Sequence, residues 1–301
     1  MINLCIVGLG DIVQYYKKGL YNSKIYNLVG VCDINKNAIG REIYIDTPFF
    51  IDYKEMIDEL KPDCCLVAIG ERYKYPIIKE ILSLGVNVLT EKPLSLNSYE
   101  FEDLFKTAKE NNAILDIMYH YQYGEEQRVL KEITKDLGKL KLGVILLNES
   151  YANNKRREIK KENRNHTEAW IDNGINALSV FDDLVDLEKY SLYDKTEVVS
   201  TIYKDTVSAE RIFKDKENNA IRILVEWRTG SNKKYYILEY EKGVIIVNSK
   251  DMKIYKDDKC VYSKNLDYPR MHDQYDYYFC NCEIENSYKK HKRIHNLLYL
   301  A

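Results

Sequence analysis

The 301-residue chain lacks several features that would direct it to a membrane, to nucleic acid or to the cell exterior. No apolar run approaches the roughly 20 residues that cross a bilayer. Charge of neither sign predominates: 45 Lys and Arg stand against 47 Asp and Glu, a formal net charge of −2. That balance leaves no broad basic field for nucleic acid or anionic lipid. Met1 leads straight into an apolar strand, so no signal peptide is expected. The seven cysteines form no framework. Their number is odd, and Cys5, Cys32, Cys64 and Cys65 lie in apolar strands where cysteine packs as a small hydrophobe. A reducing cytoplasm is the expected setting. Cys280 and Cys282, near His291 and His295, have no second ligand pair at zinc spacing, and no metal is expected. Internal repeats and low-complexity linkers are absent as well. The 27 tyrosines, accompanied by many lysines, read as compositional bias more than chemistry.

What is present begins at Leu4–Val13, LCIVGLGDIV. Leu4 to Val7 is a short apolar run of the kind buried in a parallel strand. Gly8 and Gly10 let the backbone turn tightly and approach a ligand closely. A helix over Ile12–Leu20 follows, whose first N–H groups, near Asp11, Ile12 and Val13, suit a pyrophosphate. About twenty residues on, the apolar run Leu28–Cys32 stops at Asp33, where a carboxylate accepts hydrogen bonds from an adenosine ribose. Strand, glycine turn, helix, strand and acid in this order describe a Rossmann dinucleotide site. The third small residue of that fingerprint is Val13, which crowds the helix against the strand. Asp33 favours NAD because it repels a 2′-phosphate, and Lys36 nearby keeps NADP possible.

Strands and helices alternate to about Met118. Helices are expected over Asp52–Leu60, Pro76–Leu84 and Asn97–Asn111, and apolar strands over Cys64–Ala68, Val86–Leu89 and Ala113–Tyr119. Continuous apolar strands between helices mean a doubly wound parallel sheet. After Tyr119 the pattern changes. Helices Gly124–Asp136 and Thr167–Leu187 flank a strand at Lys141–Ser150, and short strands with turn signals run from Glu197 to about Tyr262. Closing helices are expected over Gln274–Glu285 and Lys289–Leu298, with the basic run Lys289–Arg293 as a solvated face. The fold class is therefore α/β: a dinucleotide-binding Rossmann domain at 1–118, then an α+β domain at 119–301 whose mostly antiparallel sheet serves substrate binding and subunit contact.

The next informative stretch is VLTEKPLS, Val88–Ser95. It follows a parallel strand, so Glu91-Lys92-Pro93 falls at the carboxyl edge of the sheet, where cofactors and substrates bind. Pro93 disfavours helix at Lys92 and helps fix its backbone. A lysine held beside a nicotinamide pocket hydrogen-bonds a substrate oxygen and favours its deprotonated form.

The glycine loop, Asp33 and the E-K-P element, followed by a sheet-rich second half, resemble the Gfo/Idh/MocA oxidoreductases, the glucose–fructose oxidoreductase and inositol dehydrogenase family. The resemblance implies hydride transfer between NAD(P) and a sugar or polyol carbon, Lys92 as the catalytic lysine and Glu91 beside the cofactor. Many members carry Asp then His at the positions of Asp172 and Asn176, four apart on one helix face. Asn176 cannot take a proton at neutral pH. Three readings stay open: an inactive scaffold, proton transfer through Asp172 or Lys92, or a substrate that needs only a weak base. The run from Asp172 to Ser179, D-x-G-I-N-A-L-S, resembles the aldose (L-arabinose and D-galactose) 1-dehydrogenases of the family. Tyr119–Tyr123 resembles their W-H-x-Q-Y, which puts His120 in the sugar pocket, and Glu149 resembles their pocket glutamate. An anomeric hydroxyl is more acidic than an ordinary alcohol, so Asp172 suffices as proton acceptor while Lys92 stabilises the oxyanion. The histidine that follows a double Arg in that subgroup is out of register here: Arg156 and Arg157 precede Glu158, and the nearby imidazole is His166.

Each residue also has a bland reading. His120 could be a structural histidine, Glu149 an ordinary acid at a strand end, Asp172 a helix brace and Asn176 a backbone partner. Trp170 and Phe181 read as core, and Arg156 and Arg157 as a solvated loop. The expectation is an NAD(P)-dependent oxidoreductase acting on a small sugar or polyol, best at C1 of an aldose to give a lactone. Rivals are oxidation or reduction at another carbon of a polyol or nucleotide sugar, and a catalytically inactive sugar-sensing regulator. The resemblance implies a homodimer or homotetramer.

Overall fold

A computed structural model describes residues 1–150, 168–201, 205–256, 258–266 and 270–299. The chain divides into two compact units, Met1–Tyr123 with Pro269–His291, and Gly124–Tyr268 with Lys292–Ala301.

The first unit is built on six strands: β1 (Ile2–Val7), β2 (Tyr26–Cys32), β3 (Phe49–Phe50), β4 (Cys64–Val67), β5 (Asn87–Glu91) and β6 (Leu115–Met118). Every neighbouring pair is parallel, in the order β3-β2-β1-β4-β5-β6. The chain reverses its direction of travel between β1 and β4, which is the switch point where open α/β sheets bind ligands beyond the strands' carboxyl ends. Leu4, Cys5, Ile6, Cys64, Cys65 and Leu66 are fully buried, as strands covered on both faces must be. Desolvation pushes the buried Cys5 thiol up to about 12, which makes it inert packing.

Five helices connect these strands: α1 (Lys17–Asn22), α2 (Gly40–Ile43), α3 (Tyr53–Leu60), α4 (Glu71–Ser83) and α5 (Ser98–Glu110). Asp52 and Asn97 cap α3 and α5, their side chains accepting from the N–H groups of Lys54 and Glu100. Two boundaries differ from the sequence expectation. The helix expected over Ile12–Leu20 is a 3-10 turn, Asp11–Tyr15, followed by the short α1. α4 starts five residues before Pro76, because Gly70 ends the preceding loop and Glu71 suits the first turn, so the proline lies inside the helix. The elements β3 and α2 are too short to leave any periodicity in the sequence.

The second unit contains α6 (Glu125–Ile133), β7 (Leu140–Ser150), α7 (Ile175–Asp182) and the strands β8 (Ser191–Val199), β9 (Thr206–Lys214), β10 (Ala220–Glu226), β11 (Arg228–Tyr240), β12 (Gly243–Val247), β13 (Asp251–Lys256) and β14 (Lys259–Asn265). The eight strands form one sheet in the order β14-β13-β12-β11-β7-β10-β9-β8. All pairs are antiparallel except β7 with β10. That exception follows from topology: α7 and two strands intervene, so the chain returns to β7 in the same sense. The long helix expected over Thr167–Leu187 is shorter. Its described part is a π-helical turn, Trp170–Gly174, running into α7, which ends at Asp182. Phe181 packs flush against β7 where Gly143 has no side chain. Trp170 and Phe181 are core residues, as expected. Buried Lys234 pairs with buried Glu126 on α6.

Two further helices close the chain, α8 (Arg270–Asn281) and α9 (Tyr288–Tyr299). α8 supplies Tyr275, Tyr278 and Phe279 to the core of the first unit, against Tyr16 and Tyr26. The basic run at the start of α9 is not wholly solvated. His291 is fully buried, its Nε2 2.8 Å from Asp116 Oδ1, because the helix turns that face of the run inward. Among the described residues no helix is long and apolar enough to cross a membrane.

Candidate active site

In the first unit the expected cofactor residues lie at the carboxyl edge of the parallel sheet. Gly8 follows β1 directly and adopts φ +98°, with its N–H donating to the Cys32 carbonyl at 2.8 Å. A Cβ here would stand 2.5 Å from Ile69 Cγ2 and 2.6 Å from the Ala68 carbonyl oxygen. Gly10 is extended, and nothing lies within 4 Å of where its Cβ would be. The two glycines therefore differ in purpose: Gly8 is required by backbone conformation and packing, whereas Gly10 leaves open room beside the loop. That room, next to the N–H groups of Asp11 and Ile12, fits a dinucleotide pyrophosphate. Gly8→Ala is expected to lower unfolding stability by about 3 kcal/mol, read by thermal melting, because φ strain and the clash with Ala68 backbone add.

Val13, the outsized third residue of the fingerprint, is fully buried. The crowding expected there is relieved by α2. A Cβ on Gly40 would lie 2.5 Å from Val13 Cγ2, and Gly40 N–H donates to the Leu9 carbonyl at 2.9 Å. Tyr44 Oη–H donates to the Val13 carbonyl at 2.8 Å. The loop is thus closed from outside by a short helix rather than by a small residue within.

Asp33 stands where β2 ends. Its Oδ2 accepts from Leu9 N–H at 2.7 Å and its Oδ1 from Asn35 N–H at 2.8 Å. The acid therefore braces the glycine loop from the end of β2.

Lys92 lies at the end of β5, half-buried, and is joined to Pro93 by a cis peptide bond. Glu91, before it, is buried. Its Oε1 accepts from Tyr16 Oη–H at 2.7 Å and from Tyr275 Oη–H at 2.8 Å. Burial raises its carboxyl above the usual range, against the opposing influence of the Tyr16 hydrogen bond and of Lys74. Lys74, on α4, is buried and donates to the carbonyls of Glu91 and Pro93.

Burial pushes the Lys74 amine down to about 7 from 10.5. Between those values the unfolded chain holds a proton that the folded chain has lost, so stability rises with pH. Between pH 7 and 8.5 unfolding free energy is expected to climb by up to about 1.4 kcal/mol per pH unit, and Lys74→Met abolishes the climb. Melting temperature against pH for the two proteins checks this.

His120 opens the 3-10 turn His120–Tyr123 just beyond β6. Its Nδ1 is 2.7 Å from Gln274 Oε1 on α8, and its ring stacks on Tyr275 with centroids 5.3 Å apart. The amide oxygen can only accept, so Nδ1 carries the proton in this arrangement. Gln274, Tyr275, Tyr16 and Lys74 were not singled out by sequence. The two tyrosines, taken there as compositional bias, both serve Glu91.

In the second unit, Asp172 and Asn173 lie in the π-helical turn and Asn176 in the first turn of α7, all buried. Asn176 Nδ2 donates to the Asp172 carbonyl at 3.4 Å, and its buried Oδ1 has no hydrogen-bond partner among the described residues. Such an orphaned acceptor is what a substrate hydroxyl satisfies. Glu149 sits at the end of β7. With the Asn173 amide turned to satisfy both neighbours, its Nδ2 donates to Glu149 Oε1 and its Oδ1 accepts from Trp227 Nε1, each at 3.3 Å. Asn173 and Trp227 are additions to the sequence-expected set. π-turns recur at functional sites because they push side chains out of helical register. Arg156, Arg157 and His166 lie outside the described residues. Among the described residues no group of three or more His, Cys, Asp or Glu is arranged to hold a metal ion.

Residues 2–119 match the family described as "Oxidoreductase family, NAD-binding Rossmann fold" (GFO_IDH_MocA). A curated relative, "Glycosyl hydrolase family 109 protein 1" of Akkermansia muciniphila, is 21% identical over 137 residues, which is 42% of this chain and 28% of that protein. The match thus spans less than a third of the relative's length. Solved structures resemble the chain over nearly its whole length. A dehydrogenase (MviM) from Clostridium difficile has a TM-score of 0.81 at 18% identity, covering 99% of this chain and 97% of its own. A 3-ketoreductase from Actinomadura kijaniata in complex with NADP and TDP-benzene has a TM-score of 0.83 at 13% identity, covering 99% and 95%. A D-galactose-1-dehydrogenase from Rhizobium etli has a TM-score of 0.75 at 18% identity, covering 98% and 94%. At these identities the likeness is one of fold.

Proposed function

We propose that this chain, whose residues 2–119 match the Gfo/Idh/MocA oxidoreductase family, transfers hydride between NAD(P) and a carbon of a sugar or polyol. The preferred reaction is oxidation at C1 of an aldose to its lactone. One observation carries this reading: the glycine loop, the acid that braces it and the Lys92 turn all lie at the carboxyl edge of one parallel sheet.

Gly8, Gly10 and the N–H groups of Asp11 and Ile12 hold the pyrophosphate, and Asp33 holds the adenosine ribose. When bound, the nicotinamide supplies the hydride acceptor. Lys92 donates a hydrogen bond to the C1 oxygen and stabilises its developing negative charge. Asp172 takes the hydroxyl proton as the C1 hydrogen leaves with its electron pair, and the C1–O bond becomes a carbonyl. His120, Glu149 and Asn176 orient the remaining hydroxyls, Asn176 through the Oδ1 that has no partner among the described residues. Glu91 contributes by fixing the turn through Tyr16 and Tyr275.

NAD is the preferred cofactor, because the Asp33 carboxylate repels a 2′-phosphate. Asp33→Ser is expected to weaken NAD binding about 30-fold, roughly 2 kcal/mol for a charge-assisted pair, while NADP loses less. Titration of intrinsic fluorescence with each cofactor checks both numbers. The protein is taken to act in the cytoplasm as a homodimer or homotetramer, which sedimentation measures directly.

Formation of NADH on a panel of free aldoses, polyols and nucleotide sugars tests the reading. Turnover of an aldose to a lactone supports the C1 reaction, and turnover of only nucleotide sugars or polyols moves it to another carbon. Cofactor binding with no turnover of any member favours a sugar-sensing regulator.

A further inference from the structure

We propose that Lys74 is a positioning residue for Lys92, a role that rests on Lys92 acting at the substrate oxygen. Lys74 lies in the first turn of α4 and is 1% exposed. Its Nζ donates to the backbone carbonyl of Glu91 and, at 2.7 Å, to that of Pro93. These are the carbonyls of the residues on either side of Lys92. One side chain therefore grips the turn on both sides of the catalytic lysine. With the Glu91–Lys92 and Pro93–Leu94 peptide planes held, the short stretch between them that carries the root of the Lys92 side chain is fixed before substrate arrives, which is how a supporting residue preorganises a reacting group.

Packing alone gives no reason to choose lysine here. A cation in the first turn opposes the helix dipole, and complete burial removes its hydration. An apolar side chain of similar length would fill the same volume without either penalty, but it would withdraw both hydrogen bonds from the turn. The charged groups facing Lys74 are Glu71 on its own helix and Glu91 and Lys92 on the turn. Glu91 is in turn held by the hydroxyls of Tyr16 and Tyr275. The two carbonyl acceptors suit the amine in both of its states, since an ammonium offers three N–H donors and a neutral amine two. The grip therefore survives the titration of Lys74 near neutral pH.

The test compares the full-length protein with Lys74→Met, which keeps the length and removes the donors, and Lys74→Gln, which keeps two N–H donors on a shorter stem. Kinetics are taken where circular dichroism shows each protein fully folded. For Lys74→Met, kcat is expected to fall 30-fold or more. KM for the sugar and Kd for NAD should stay within threefold, and amide exchange should accelerate at least tenfold in residues 90–96 alone. Lys74→Gln should lose between three- and tenfold in kcat, and it decides alone if the Met variant does not fold. Lower melting temperatures with kcat within threefold of wild type, and unchanged exchange in the turn, would overturn the proposal and leave Lys74 as structural support. Failure of the underlying reading looks different. Lys92→Ala retaining wild-type kcat removes the catalytic lysine and the positioning role together. A wild type inert toward every sugar ends the redox reading, and the exchange measurement then judges the grip by itself.

Discussion

Lys92→Ala is expected to lower kcat by about 10²–10³-fold, the scale of removing a principal oxyanion donor, with NAD affinity within threefold of wild type. The two halves of that result come from separate parts of the first unit. In the proposed reading cofactor affinity comes from the Gly8–Val13 loop, which is braced by Asp33 and closed by Gly40 and Tyr44. None of those contacts involves the Lys92 side chain. The turn that carries Lys92 is also held independently of its side chain, through the Glu91 carboxylate and the Glu91 and Pro93 carbonyls. Alanine therefore removes the ammonium and leaves the backbone as it was. An effect confined to kcat marks a contact made in the transition state, whereas an effect on KM alone marks ground-state binding. Steady-state kinetics beside a fluorescence titration separates these outcomes.

Asp172→Asn is expected to lower kcat by about 10²–10³-fold, within the range of a lost general base. The amide keeps the size and hydrogen-bonding shape of the carboxylate but does not accept the proton. The neighbouring Asn176 offers no substitute base, since an amide cannot ionise in the usable pH range. If Asp172 merely braced its helix, the variant would lower the melting temperature and leave kcat unchanged at temperatures where it is folded. The π-helical turn argues for more than bracing. A continuous α-helix through 170–182 would serve packing equally well, and the irregular turn is instead where Asp172 and Asn173 are buried next to one another.

What could be read in the sequence was what short local spacing dictates. Strand, G-x-G and an acid some twenty residues later specify a loop and a sheet edge with no long-range information, and the structure builds both. The doubly wound sheet was legible because Leu4–Val7 and Cys64–Val67 are continuously apolar, which two-sided burial demands. Lys74 was not legible. A lysine in an amphipathic helix ordinarily reads as a solvated one, and nothing in Glu71–Ser83 says that its face turns toward the Lys92 turn. Gln274 and Tyr275 escaped for a different reason. Their partners His120 and Glu91 lie 154 and 184 residues away in sequence, and the amphipathic pattern of α8 does not say which unit it joins. The helix expected over Thr167–Leu187 was too long because polar residues such as Asp172, Asn173 and Asn176 are buried among its apolar ones, which leaves no period from which to read a π-turn or an end. Gly40 carries no signal in the sequence, since only the packed structure sets it against Val13.

The most direct measurement of the redox reading is NADH absorbance at saturating NAD across the sugar panel, run in parallel on wild type and Lys92→Ala, with cofactor binding titrated for both. A sugar oxidoreductase that depends on Lys92 gives turnover of at least one sugar by the wild type, loss of that turnover in the variant, and equal NAD affinity in the two. Equal turnover by both proteins, or tight cofactor binding by a wild type that oxidises no sugar in the panel, contradicts it.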